Sequence, residues 1–262
     1  GTGKTFTLKQ VIRHLHQTNR AFVVTASTGR AALNLNGTTI HSFSGAGNGE
    51  ASESVYLSKM KSQWYRKAWS NIQVLIIEEI SMVGKLYFEL INKMAQTARR
   101  NTSLFGGLQL IVCGDFLQLP PINADYVFLS PIYQQLFPSK NTVLFQDIKR
   151  QTCPRLIKIL GEARIGKLSP ESIRLLRQCL DKPVPETFPI QPMILFSTKV
   201  NVMEYNMNKL DKIQEDPKEF HHTWQASSNE SSQTNTKIYA DLLKTAAMYP
   251  TLTLKIGAQV ML

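Results

Sequence analysis

The sequence contains few cysteines, and none lies in an arrangement that would hold a metal ion or a disulfide framework. Cys113, Cys153 and Cys179 are odd in number and far apart, and no CxxC pair occurs. His14 and His16 stand two residues apart on a segment with helical periodicity, so they do not share a helix face. The sequence therefore predicts neither a zinc site nor a secreted disulfide scaffold, and a reducing intracellular compartment is expected.

Long apolar runs are also missing, and acidic residues are scarce relative to basic ones. No stretch approaches the roughly 18 uninterrupted apolar residues of a membrane span, so we expect no membrane partner. Nineteen Asp and Glu stand against 30 Lys and Arg, which leaves a net charge of +11. This excess favours a polyanionic partner, most simply nucleic acid, although basic residues that only solvate the surface would give the same count.

Strand-like and helix-like segments alternate along the chain of 262 residues. Short apolar, β-branched runs predict strands, whereas apolar residues at helical spacing predict helices. The predicted strands fall at 21–27, 74–81, 108–115, 141–145 and 192–196, and the main predicted helices at 6–17, 85–100 and 199–210. Such alternation is typical of an α/β fold with a parallel sheet, whose ligands gather at the carboxyl ends of the strands.

The first five residues resemble the end of a phosphate-binding loop. Gly1, Thr2, Gly3, Lys4 and Thr5 fit the second half of the pattern G-x-x-x-x-G-K-[ST], whose leading glycine would precede Gly1. In such a loop the glycines turn backbone N–H groups toward phosphate, the lysine neutralises charge and the hydroxyl holds Mg²⁺. A bare GKT also occurs in ordinary turns before helices, so the motif needs support from elsewhere in the chain.

Two later strand ends give that support. Glu78 and Glu79 follow four apolar residues at 74–77, where a nucleotide-hydrolysing site needs carboxylates to orient a metal and activate water. Two solvated acids at a strand end are the alternative. Asp115 and Gln118 lie at the end of the next strand, and the amide of Gln118 is suited to sensing a γ-phosphate or orienting water. A glutamine held in a proline-bounded turn is the alternative there.

Taken in order, the motifs resemble those of the Pif-one family of helicases, RecD-like superfamily-one motors that move 5′-to-3′ along single-stranded DNA. The segments that carry the resemblance are GTGKT, TASTGRAALNLNGTTIHSFSG, VLIIEEISMV, FGGLQLIVCGDFLQLPP, RQ at 150–151, ARIGKLSPE and LKIGAQVML. The resemblance implies a P-loop NTPase of RecA-like α/β fold. It implies a first motor domain over 1–147, with a small insertion near 46–70, and the start of a second motor domain over 148–262.

The resemblance also implies roles for individual residues. Lys4 and Thr5 would hold the phosphates of ATP and Mg²⁺. Glu79 stands where the family keeps its catalytic carboxylate, Gln118 matches its γ-phosphate sensor, and Arg150 matches an arginine finger. These residues are the expected catalytic set.

DNA is the expected partner. Ser27, Thr28, His41 and Phe43 fall in segments that contact DNA in the family, although a core position for Phe43 is nearly as well supported. The resemblance implies a monomeric motor on single-stranded and forked or duplex DNA. It also implies work in DNA repair, recombination or telomere maintenance, in the nucleus or mitochondrion of a eukaryote.

Two departures from the family keep other interpretations open. The family has Asp-Glu at the acidic strand end, whereas this chain has Glu78-Glu79, and the additional methylene would displace a metal-bound water. The strand before the loop and the later family motifs lie outside the sequence, so we expect a piece of a longer reading frame. The alternatives are a catalytically impaired DNA-binding remnant, from a mobile element or decayed gene, and a P-loop ATPase that acts on RNA.

Overall fold

Four parallel strands form the central sheet: β1 (Phe22–Ala26), β2 (Thr38–Thr39), β3 (Val74–Glu78) and β4 (Gln109–Cys113). Their order across the sheet is β2-β1-β3-β4. All five residues of β3 are buried, as expected for a parallel strand covered on both faces. The chain therefore forms the parallel α/β sheet that its segment pattern predicts.

The computed structural model describes residues 1–47, 49, 51–180, 182, 190–221 and 251–260. Within them the α-helices are α1 (Lys4–Gln17), α2 (Gly29–Leu33), α3 (Ile40–Ser44), α4 (Glu53–Lys59), α5 (Gln63–Ser70), α6 (Lys85–Arg99), α7 (Pro131–Leu136), α8 (Pro154–Arg164), α9 (Pro170–Leu180) and α10 (Lys199–Asp211). Short 3₁₀ turns occur at Ile80–Met82, Leu104–Gly107, Val127–Leu129 and Ser139–Asn141.

Helices cover both faces of the sheet because side chains alternate along each strand. Leu75 and Ile77 of β3 point into a core that contains Trp69 of α5 and Phe88 of α6. Val74 and Ile76 point the other way, into a smaller core built with Leu8 and Leu15 of α1. This arrangement fixes α1, and the loop that precedes it, against one face of the strands.

The strands predicted at 21–27, 74–81 and 108–115 are confirmed, although the second ends at Glu78 and the third at Cys113, and the three main helices are confirmed as well. The strands predicted at 141–145 and 192–196 are wrong, since neither run forms a strand. Val143 and Leu144 are 78% and 74% exposed. A strand needs a hydrogen-bonded neighbour, and none of the described residues pairs with either run.

The chain divides into two compact units, Gly1–Arg177 and Gln178–Leu262. In the second unit, α10 is accompanied by an antiparallel pair of strands, β5 (Lys218–His221) and β6 (Thr251–Leu254). The domain boundary predicted at 147/148 stays a prediction, and residues 222–250 of the predicted second domain lie outside the described ones. Among the helices that the structure describes, none is long and apolar enough to cross a membrane.

Candidate functional site

The three central strands β1, β3 and β4 end at the same level, so the polar residues at their carboxyl ends and just after them lie close together. Ala26 pairs with Glu78 across β1 and β3, and Glu78 pairs with Cys113 across β3 and β4. The backbone N–H of Ser27 donates to the carbonyl oxygen of Glu78 at 3.1 Å. The carboxyl edge of the sheet is therefore the meeting point that the sequence predicted.

The first loop reaches this edge at the N-terminal end of α1. Gly3 precedes the helix with a left-handed backbone (φ 91°), and Lys4 and Thr5 occupy the first helical turn, both half-buried. The first N–H groups of a helix have no intrahelical acceptors and carry the positive end of its dipole. A phosphate at this position would be bound by backbone donors and by the lysine together.

Glu78 faces the loop across the site and is 4% exposed. The hydroxyl of Thr5 donates to its Oε1 at 3.2 Å, while its Oε2 is buried with no hydrogen-bond partner among the described residues. Burial, followed by the Glu78 carboxylate, raises the pKa of the neighbouring Cys113 thiol to about 12, so that thiol is protonated. A buried carboxylate oxygen without a partner, beside a threonine hydroxyl, fits a hard cation such as Mg²⁺.

Among the residues that the structure describes, the site does not contain enough protein ligands to hold a metal ion by themselves. Within the described ranges, no group of three or more His, Cys, Asp or Glu residues could hold a metal ion. Mg²⁺ typically uses one or two protein oxygens and takes its other ligands from water and substrate phosphates. Thr5 and Glu78 suit that mode of binding.

Glu79 lies next to Glu78 in a strained backbone conformation, with φ 53° and ψ 47°. A non-glycine residue in the left-handed region costs free energy and is often found at functional sites. Burial raises the pKa of its carboxyl, as does the charge of Glu78, while Lys4 acts in the opposite direction. Glu79 is thus a half-buried carboxylate with a raised proton affinity, close to the loop lysine.

Asp115, just after β4, is the centre of a hydrogen-bond network. It accepts two bonds from the guanidinium of Arg164, at 3.0 and 2.9 Å, and one from Nε2 of Gln118 at 3.1 Å. The backbone N–H of Leu117 donates to the same carboxylate at 3.1 Å. The Arg164 guanidinium, more than any other group, holds the pKa of Asp115 well below its usual range. Gln118 is therefore tied to an anion whose position is fixed by Arg164 of α8.

Arg150 lies beside the phosphate loop. Its backbone N–H donates to the carbonyl oxygen of Gly1 at 3.1 Å, and that of Lys149 does the same at 2.8 Å. A Cβ added to Gly1 would collide with the Cβ of Arg150, so the loop must have glycine at that position. The Arg150 side chain is exposed.

The residues predicted to contact DNA fall into two groups. Ser27 and Thr28 follow β1 at the same edge as Glu78. The Thr28 hydroxyl caps α2 by accepting from the N–H of Ala31 at 3.3 Å. The Ser27 hydroxyl oxygen is buried and has no partner among the described residues.

His41 and Phe43 lie on α3 and are engaged by aromatic neighbours. The His41 ring stacks on Tyr87 with centroids 4.6 Å apart, and the Phe43 ring lies 4.7 Å from that of Trp69. Phe43 is half-buried and packs against the main core. The core position that the sequence left open for Phe43 is the one the geometry supports, and DNA contact by these residues stays a prediction.

Sequence reasoning missed the ion pair between Asp115 and Arg164. The two residues are 49 positions apart, and no spacing rule links them. The only available signal was that Arg164 lies in the ARIGKLSPE segment of the family resemblance.

Comparisons with known proteins agree with this arrangement. The family model described as PIF1-like helicase matches residues 1–149. The ATP-dependent DNA helicase PIF1 of Saccharomyces cerevisiae (strain YJM789) is 32% identical over 274 residues, which cover 100% of this chain and 31% of the relative. The chain thus spans about a third of the length of that curated relative.

Two solved structures are similar as well. The Pif1 helicase from Candida albicans has a TM-score of 0.84 at 32% identity, over 98% of this chain and 58% of that chain. The Pif1 helicase from Bacteroides in complex with ADP-AlF3 and ssDNA has a TM-score of 0.68 at 25% identity, over 88% of this chain and 56% of that chain.

Proposed function

Because this chain belongs to the PIF1-like helicase family, we propose that it forms an ATP-hydrolysing motor of a DNA helicase that moves 5′-to-3′ along single-stranded DNA. Its α/β fold of RecA-like P-loop type, predicted from the sequence, is confirmed. The observation that carries the proposal is the contact between Thr5 and Glu78. It joins the phosphate loop to the acidic strand end, beside a buried carboxylate oxygen with no partner among the described residues.

Nucleotide binding follows from the charges at this edge. The N–H groups at the start of α1 and the ammonium of Lys4 would neutralise the β- and γ-phosphates of ATP. Thr5 would bind Mg²⁺ directly, and Glu78 would hold one of its water ligands. Bound Mg²⁺ supplies further neutralisation of the charge that develops on the phosphates.

Glu79, Gln118 and Arg150 would act on the transferred group. Glu79 would accept a proton from the water that attacks the γ-phosphorus, a role suited to a carboxylate whose pKa is raised by burial. Gln118 would orient that water or contact the γ-phosphate through its amide. Arg150, held beside Gly1 by its backbone, would stabilise the charge of the transition state.

Single-stranded DNA is the proposed track. The net charge of +11 suits a polyanion, and a relative of this chain is known in complex with ADP-AlF3 and ssDNA. Ser27, Thr28 and His41 are the proposed contacts near the nucleotide. We further propose a monomeric motor that works in DNA repair, recombination or telomere maintenance. The nucleus or mitochondrion is the proposed compartment, since the yeast relative is eukaryotic.

An unwinding assay with the protein expressed from its natural reading frame tests this function. We expect ATP-dependent separation of a duplex that has a 5′ single-stranded DNA tail, and little separation when the tail is at the 3′ end. Unwinding only with an RNA tail would favour the RNA-acting ATPase. No unwinding of any substrate, together with intact DNA binding, would favour the impaired remnant.

Asp115 is proposed as a positioning residue for Gln118, and the ion pair allows a charge-exchange test. Asp115→Arg or Arg164→Asp alone should lower kcat for ATP hydrolysis, by about 10²-fold if Gln118 moves by about 1 Å. KM for ATP should change little, because neither residue is expected to contact ground-state ATP. The double variant, which restores opposite charges, should recover part of kcat. Equal losses in kcat and 1/KM without recovery would contradict the positioning role.

Glu78→Asp decides between a working motor and an impaired remnant. The Glu78 carboxylate already meets the Thr5 hydroxyl at 3.2 Å, so its additional methylene is accommodated. We therefore expect the shorter side chain to change kcat by less than about threefold, well below the roughly 10²-fold effect of a 1 Å displacement. A rise of that larger size would show that Glu78 impairs the site. Glu89→Asp, on α6 with a bond to Ser130, is a matched control for shortening a glutamate.

A further inference from the structure

An open groove of about 550 Å³ runs along the exposed face of α5. We name it the α5 groove, and the residues that line it are Lys61, Gln63, Arg66, Lys67 and Ser70. The last four recur at positions i, i+3, i+4 and i+7, so they share one face of the helix. None of them belongs to the nucleotide site at the carboxyl edge of the sheet.

The α5 groove carries three cations that form no ion pair with the residues that the structure describes. Between Glu53 and Glu78 the sequence contains four Lys and Arg residues and no carboxylate. In the part of the chain that the structure describes, the ion pairs involve other residues, and none reaches Lys61, Arg66 or Lys67. Three cations on one surface repel one another, so the groove favours an anionic occupant with several charges.

Arg66 gives a more specific indication. Its Nε is buried and has no hydrogen-bond partner among the described residues. That buried nitrogen is out of reach of a ligand in the groove, but the guanidinium as a whole presents its donors in a rigid fork that matches carboxylate and phosphate oxygens. Gln63 and Ser70 add neutral donors along the same face. Three cations in one groove therefore suit a chain of several anionic groups, such as phosphates, better than one single carboxylate.

The exposed side chain of Trp64 favours single-stranded over duplex DNA as the occupant of the groove. It neighbours the groove residue Gln63 in sequence, and its side chain is 70% exposed, with the ring edge-on to Tyr65 at 4.6 Å. An exposed indole offers a face on which an unpaired base can stack, whereas the bases of a duplex are already stacked.

The α5 groove is separate from Ser27 and Thr28, the predicted DNA contacts at the carboxyl edge of the sheet. Trp69, on the buried side of α5, packs against Phe43 of α3. Ser70 ends the helix only four residues before Val74 begins β3, so this end of the groove lies at the amino edge of the sheet. Ser27 and Thr28 follow the carboxyl end of β1 instead.

From these observations we propose that the α5 groove is a second DNA-binding surface. It takes the sugar-phosphate backbone of a single strand on Lys61, Arg66 and Lys67, while Trp64 stacks on an unpaired base. The inference rests on the proposed function only for the choice of DNA as the anion. It adds a contact that holds the strand away from the cleft where ATP would be hydrolysed.

The salt dependence of DNA binding tests whether the cations of the groove contact phosphates. We compare the protein from its natural reading frame with a Lys61→Gln/Arg66→Gln/Lys67→Gln variant, using anisotropy of a labelled oligo(dT) without nucleotide. The slope of log Kobs against log salt should become shallower by about 2, the effect of losing three phosphate contacts to a single strand. The control variant Lys9→Gln/Arg13→Gln/Arg20→Gln removes the same charge from exposed positions and should leave the slope nearly unchanged.

Arg66 is half-buried, so a second variant protects the test against misfolding. Lys61→Gln/Lys67→Gln changes only exposed side chains and should make the slope shallower by about 1.4. A slope equal to that of the control variant in both cases would overturn the proposal. An acidic protein as the natural occupant would give that result.

Trp64→Ala tests the assignment to a single strand. We expect affinity for oligo(dT) to fall about tenfold, the effect of one lost base stack, and affinity for a blunt duplex to stay the same. Equal losses on the two DNAs, or a loss on the duplex alone, would overturn the single-strand assignment.

The failure of this inference can be distinguished from the failure of the proposed function. A protein that hydrolyses ATP on DNA, but whose groove variants bind DNA like the control, contradicts only the groove. A protein that hydrolyses no ATP, but whose groove variants lose oligo(dT) binding as described, contradicts only the motor.

Discussion

Replacing Arg150 with alanine is expected to lower kcat for DNA-stimulated ATP hydrolysis by about 10³- to 10⁵-fold, the range measured for arginine fingers. The backbone N–H of Arg150 is bonded to the carbonyl of Gly1, so the residue stands next to the phosphate loop with an exposed side chain. Its guanidinium would stabilise charge that develops only in the transition state. KM for ATP should therefore change much less than kcat.

Lys149→Ala is the matched control, because it removes a cation one residue away. Lys149 shares the bond to Gly1 through its backbone, but its ammonium lies 3.4 Å from the carboxylate of Asp147. We expect kcat within about threefold of the unsubstituted protein, as is usual for an exposed ion pair. Turnover that is equal in the two variants would contradict the assignment of Arg150.

Lys4→Ala should have the second large effect. Lys4 opens α1 directly after the left-handed Gly3, and its charge opposes the rise in the pKa of Glu79 that burial and Glu78 cause, as expected for an ammonium near the carboxyl edge of the sheet. Loss of a charged donor aimed at the phosphates should lower kcat/KM for ATP by at least about 10²- to 10³-fold. Nucleotide affinity should fall as well, since the lysine contacts ground-state ATP, and this separates Lys4 from Arg150.

Lys9→Ala provides the comparison for this variant. Lys9 lies on the same helix, five residues further along, and is exposed. Its removal changes the net charge equally and should leave turnover and ATP affinity unchanged within about twofold. If Lys4→Ala hydrolysed ATP as fast as Lys9→Ala, the first loop would not be the phosphate site.

The central strands could be predicted because their sequences leave few alternatives. β1, β3 and β4 are five-residue strands of mainly apolar residues between turn signals, and β3 is buried on both faces. The runs at 141–145 and 192–196 have the same composition but no hydrogen-bonding neighbour among the described residues. The composition of a segment indicates whether it could form a strand, whereas strand pairing depends on whether the rest of the chain places another strand next to it.

In the candidate site, too, some features could be predicted from the sequence and others depend on the folded structure. That Thr5 and Glu78 meet follows from the rule that parallel strands present their carboxyl ends at one edge, and the motifs supplied the residues. The left-handed backbone of Glu79 and the ion pair between Asp115 and Arg164 could not be predicted. The first is a strained conformation that the surrounding structure imposes, and the second joins residues from segments far apart in the chain.

ATP turnover with and without single-stranded DNA tests the central claim most directly, using the protein expressed from its natural reading frame. An ATP site at the carboxyl edge that drives movement along DNA predicts slow turnover alone and turnover stimulated at least about tenfold by saturating oligo(dT). Stimulation should disappear in Arg150→Ala and persist in Lys149→Ala. No hydrolysis under either condition, or hydrolysis that DNA leaves unchanged, would contradict the claim.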